Sequence, residues 1–114
     1  MLFYRFTCSL NRIGVLVIVS LCVLSIRLVG PQTLKTKRGV MRSLRNRVHN
    51  QFNVSVSEVG PVNDRRTGVI ALANTGDSAT YSIGELQQAT RFIEREIIGK
   101  AEIVDIHTDV FDPI

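Results

Sequence analysis

An apolar stretch from Ile13 to Ile26 lies between Arg12 and Arg27 and leads into a Gly30-Pro31 breaker. Whether it spans a membrane or builds a sheet decides what the rest of the chain can do. As a helix it rises about 21 Å, short of the roughly 30 Å hydrocarbon core of a bilayer. Arg5 and Arg12 ahead of it resemble the flank of a signal peptide or anchor, yet Ser25-Ile26-Arg27 is a poor cleavage site. Val15, Val17, Ile18, Val19, Val23 and Ile26 are β-branched, and such side chains pack well on a pleated surface. The preferred reading is a strand from about Val17 to Leu28. Export or membrane anchoring through residues 5–26 is the rival.

The remaining chain alternates between two periodicities. Thr33 is a natural N-cap. Behind it Leu34, Val40, Met41, Leu44 and Val48 fall within one arc of about 120° at helical spacing, a core-facing stripe that Gln51 ends. Phe52, Val54 and Val56 then alternate with Asn53, Ser55 and Ser57, the pattern of a half-buried strand. Residues 60–64 are turn chemistry. Thr67 to Ala73 is too apolar for a strand with one wet face and predicts a central one, which Asn74 to Ser78 break. Ser82 with Glu85 predicts a capping box for a second helix. Its inner face is Ile83, Leu86, Ala89, Ile93 and Ile97, and Gly99 is its stop. A last strand, Glu102 to Val110, sets Val104, Ile106 and Val110 against Ile103, Asp105, His107 and Asp109.

The order β-α-β-β-α-β predicts an α+β, ferredoxin-like domain. A four-stranded antiparallel sheet with two helices on one face buries every stripe through right-handed crossovers. A length of 114 residues supports one domain, and 45% apolar with 21% charged residues exclude a disordered chain. Cys8 and Cys22 offer neither a disulfide framework nor a zinc site. Cys22, among apolar neighbours, reads as an inert buried thiol. The sequence has no P-loop, GxGxxG, HExxH or nucleophile elbow, and neither His49 nor His107 has a neighbouring Ser or Cys. It therefore predicts no catalytic residue, no cofactor and no metal.

Charge is segregated. The first 57 residues hold nine Lys or Arg and no acid; from Glu58 onward five basic residues meet ten acids. Six of the nine lie between Thr33 and Asn50. Arg38, Arg42, Arg45 and His49 follow i, i+4, i+7, i+11 beside the apolar stripe, with Lys35 nearby. Phosphate backbones reward such a row, because each neutralised phosphate releases counterions. The plainer reading is a solvated face whose arginines pair with acids of the second helix or of a partner. Lys37 falls inside the apolar arc and is expected to snorkel.

Base stacking on an exposed sheet needs aromatics on the central strands, and neither Thr67–Ala73 nor the set Val23, Ser25, Arg27 has one. Asp105, His107 and Asp109 share one strand face, but at i, i+2, i+4 they span too far to converge on one ion. The expectation is a polar sheet face on which Asp105 or Asp109 pairs with Arg27, and against which a second copy can pack.

Three strings resemble a known family: Leu34-Lys35-Thr36-Lys37-Arg38, Arg42-Ser43-Leu44, and Phe52-Asn53-Val54-Ser55-Val56-Ser57-Glu58-Val59. The bacterial domain-of-unknown-function family 503, the YlxP-like proteins, shows Ser-Leu-Lys-x-Lys-Arg and Arg-Phe-Asn-Val-Ser-Val-Ala-Glu-Val in these places. The likeness covers roughly residues 17–110. It implies a ferredoxin-like fold, a cytoplasmic location and no assigned enzyme activity. Relatives are often encoded beside ribosome-maturation and translation-initiation factors.

Where the family shows Asp-x-Trp-Gln-Arg between its second and third strands, this chain has Asn63-Asp64-Arg65-Arg66. Only Arg66 carries over, and Thr33 replaces the usual Ser. Relatives begin near the position of Val17, so the domain is expected over residues 17–110 with a short tail at 111–114. Residues 1–16 are expected to be upstream sequence read into the chain, or a disordered extension.

The resulting expectation is a cytoplasmic, non-enzymatic factor bound to RNA or a ribosomal subunit. Arg38, Arg42 and Arg45 would hold phosphates, with Lys35 and Arg66 as auxiliaries. The alternative is a homodimeric interaction module whose basic helix takes an acidic protein; a membrane partner is expected only on the anchor reading.

Overall fold

The computed structural model describes residues 14–61 and 63–112. Its elements are β1 (Ile18–Leu28), α1 (Leu34–Gln51), β2 (Ser55–Gly60), β3 (Thr67–Gly76), α2 (Ala79–Glu96) and β4 (Ala101–Phe111). The strands form one sheet in the order β2-β3-β1-β4, antiparallel at every contact. Two helices cover one face, which is the ferredoxin-like α+β arrangement. From Ile18 onward the apolar run is a central strand. No helix among the described residues is long and apolar enough to cross a membrane. The readings placed on residues 1–13 lie outside the described residues.

β1 explains why the run carries so few polar residues. Ile18, Ser20, Cys22, Leu24, Ile26 and Leu28 are buried toward the helices, and Val19, Leu21 and Val23 on the other face are half-buried between neighbouring strands. Met41, Leu44 and Val48 of α1 and Leu86, Ala89, Phe92 and Ile93 of α2 close the core. Phe92 meets Phe52 edge-to-face at 5.4 Å between ring centres, a preferred aromatic geometry. At Gly68 the helix comes so near that a Cβ would stand 2.5 Å from Met41 Cε.

Several boundaries differ from those the sequence predicts, each for a local reason. α2 begins at Ala79, with Ser78 rather than Ser82 as N-cap; Ser78 Oγ accepts from the Tyr81 N–H at 3.4 Å. Ser82 is buried inside the helix. β3 runs on to Gly76, because Asn74 and Thr75 stay paired with Ser20 and Val19. Phe52 is not in a strand. It ends α1, giving its N–H to Val48 O at 2.9 Å, and β2 starts at Ser55. α2 ends at Glu96, and Gly99, at φ +81°, turns the chain into β4. The β1–β4 register shifts between Ser25 and Ile26, so Ile103 packs on the core while Val104 is exposed.

Candidate nucleic-acid interface

α1 starts where expected. Thr33 is its N-cap, and its Oγ1 accepts from the Thr36 N–H at 3.0 Å. The helix buries Lys37, Met41, Leu44 and Val48, and that line fixes where every other side chain points. At 100° per residue, Lys35, Arg38, Arg42, Arg45 and His49 share one flank, and all five are exposed. The opposite flank faces α2, where Val40, Ser43 and Leu44 line a seam with Ile97. The row is therefore turned away from α2, toward the edge strand β2.

The same geometry sorts the arginines. Arg47 lies on the α2 flank and forms an ion pair with Glu96, a contact that the plainer reading expects of the row's arginines instead. It is the one ion pair among the described residues, so α2 neutralises none of Arg38, Arg42 and Arg45. Arg45 donates to its neighbour Asn46 Oδ1 at 3.2 Å. Glu58, the acid nearest in sequence, is an exposed residue of β2 paired with Ile70.

Lys37 does not snorkel. It is 1% exposed, and its Nζ donates to Pro61 O at 2.6 Å and Asp64 O at 2.7 Å. A buried ammonium is costly unless its hydrogens are taken up, and the β2–β3 loop supplies two carbonyls for them. Asp64 tightens the same loop: its Oδ1 accepts from the Arg66 N–H at 2.8 Å and the Thr67 N–H at 3.0 Å. Those two bonds, with smaller help from the charges of Lys37 and Arg27, hold the Asp64 carboxyl below its ordinary range. Leu28 N–H donates to Arg66 O at 2.7 Å and ties the loop to β1.

The loop so fixed carries Arg65 and Arg66, both exposed. They line an open groove of about 400 Å³ with Gly30, Pro31 and Gln32, the segment that leads into α1. Arg66 thus lies beside the segment that leads into α1. The one local sign of this latch is a lysine inside an apolar arc.

The open sheet face bears no aromatic on its central strands, where Leu21, Val23 and Ser25 pair with Ala73, Ala71 and Val69. Arg27 does not pair with Asp105 or Asp109. Across β4 it meets Glu102, because the bulge at Val104 displaces the register, while Asp105 and Asp109 face Ser25 and Leu21. Among the described residues no group of three or more His, Cys, Asp or Glu is placed to hold a metal ion. Cys22 is buried, its Sγ 3.8 Å from Thr90 Oγ1 and 3.9 Å from Thr108 Oγ1.

Residues 19–108 match the family described as Protein of unknown function (DUF503). The chain belongs to this family. It is 36% identical over 62 residues to the uncharacterized protein YlxP of Bacillus subtilis (strain 168), a match covering 54% of this chain and 67% of that protein. In this DUF503 chain Lys37 and Asp64 hold the loop between β2 and β3, the segment in which the tryptophan of the family pattern is missing.

Proposed function

We propose that this chain is a non-enzymatic, cytoplasmic factor that binds structured RNA on the ribosome through the basic row of α1. The observation that carries this reading is the direction of the row: Arg38, Arg42 and Arg45 are exposed on the flank away from α2, whereas Arg47 is engaged by Glu96. From Lys35 to Arg45 the row runs about 15 Å along the helix axis, long enough to meet several phosphates of one strand. Arg66, beside the segment that leads into α1, is an auxiliary phosphate contact in this reading. With no aromatic on the central strands of the open face, recognition rests on phosphate contacts and helix shape rather than on stacked bases. The ribosome is favoured as the site of action by the gene neighbourhood of similar proteins.

The specific rival is an acidic protein partner, which the same row also fits. Fluorescence anisotropy with a labelled structured ribosomal RNA fragment separates them, using unlabelled RNA and polyglutamate as competitors. Displacement by RNA at far lower concentration than by polyglutamate supports the RNA reading. Equal displacement by polyglutamate assigns the row to an acidic protein.

A further inference from the structure

A second surface lies on the far side of the sheet from the basic row. The sheet ends on β2 and on β4, and the two edges are built differently. β2 is six residues long, shifts register between Glu58 and Gly60 and runs into Pro61, features that blunt an edge against pairing. β4 is eleven residues long without Pro, Gly or Lys. Its Val104, Ile106 and Phe111 remain 45%, 49% and 45% exposed. Ile106 and Thr108 form one wall of an open groove of about 280 Å³, with Ile83, Leu86 and Glu94 of α2 opposite.

The amide directions along β4 follow from two hydrogen bonds. Val29 N–H donates to Lys100 O at 3.0 Å. Alternation along β1 then turns the amides of Arg27, Ser25, Val23 and Leu21 toward β4, where Asp105, His107 and Asp109 stand opposite the last three. Ile106, Thr108 and Val110 accordingly present their amides outward. Val110 agrees: its N–H donates to Asp109 Oδ1 at 2.9 Å, a carboxylate standing in for the carbonyl of a missing strand.

We propose that β4 pairs antiparallel with β4 of a second copy, about a two-fold axis at Thr108, to give one continuous sheet. In this register Ile106 and Val110 of the second copy form a hydrogen-bonded pair, and Thr108 meets its own counterpart. His107 stands opposite Asp109 of the second copy, and symmetry repeats the contact. A register centred on His107 sets Asp105 against Asp109, like charge on like charge. One centred on Ile106 carries the pairing into the bulge at Val104. The Thr108 register uses only the regular segment 105–111, and it sets the imidazole of His107 beside the Asp109 carboxylate without drawing on the bulge.

The test is the oligomeric state of the full chain by sedimentation equilibrium, and it does not rest on the RNA reading. A reversible dimer at concentrations up to about 100 µM is expected; a monomer throughout overturns the proposal. Ile106→Lys is expected to give a monomer with an unchanged far-UV spectrum, and an undiminished dimer overturns the assignment to this edge. His107→Asp is expected to weaken the dimer about tenfold, and the exchange His107→Asp with Asp109→His to restore it. Both positions are exposed, so these variants fold. A double variant no tighter than the single one overturns the register.

Discussion

The ammonium of Lys37 donates to the main-chain carbonyl of Asp64 at 2.7 Å, across 27 residues of chain. A single helical lysine thereby joins the buried face of α1 to the loop that carries Arg65 and Arg66. Lys37→Met keeps the apolar stem but leaves Pro61 O and Asp64 O without this donor. The expected loss is about 2–3 kcal/mol in urea unfolding, with faster amide exchange at residues 64–67. Unchanged exchange there would show that the loop holds itself.

Asp64 gives the latch a pH dependence. Its carboxyl is held low chiefly by the Arg66 and Thr67 amides, so the ionised form is favoured in the folded chain. The resulting stability is fully present above the ordinary carboxylate range, near pH 4, and is lost as pH falls further through the folded value. Asp64→Asn is expected to flatten the acid limb of the stability curve below about pH 4 and to leave its shape near neutrality unchanged. Parallel pH titrations of thermal unfolding for the two proteins check this.

The basic row has a signature in salt. Each arginine that meets a phosphate contributes roughly 0.7–0.9 to the slope of log K against log salt. The triple variant Arg38→Ala, Arg42→Ala, Arg45→Ala is expected to lower that slope for RNA by about 2–3, with each substitution changing stability by less than about 0.5 kcal/mol. Anisotropy titrations at several salt concentrations measure it.

Arg47 is the internal control. It carries the same charge on the same helix but faces Glu96. Arg47→Ala is expected to change RNA affinity by less than about threefold and stability by less than about 1 kcal/mol, the range of an exposed ion pair. A loss as large as that of the triple variant would mean that charge matters and direction does not.

The sheet order and both helices were legible in the sequence because each element carries its own periodicity, as in the Met41, Leu44, Val48 stripe. Boundaries were less so. Ser78 and Ser82 both precede helix-forming residues, and only the pairing of Asn74 with Ser20 decides how far β3 runs before the helix can begin. The bulge at Val104 was invisible, since Ile103 and Val104 are equally apolar and the register depends on where β1 ends. Of the site, the row on α1 followed from spacing alone. Which arginine lies beside α2, and where the Lys37 ammonium ends, depend on contacts distant in sequence, and no local pattern encodes them.

Cosedimentation of the full chain with ribosomal subunits at low and at high salt, with the triple arginine variant run in parallel, tests the central proposal most directly. Wild-type protein is expected in a subunit fraction at low salt and largely released at high salt, and the variant is expected in the free fraction at both. Wild type absent from every ribosomal fraction at low salt, or a variant bound as well as wild type, would contradict it.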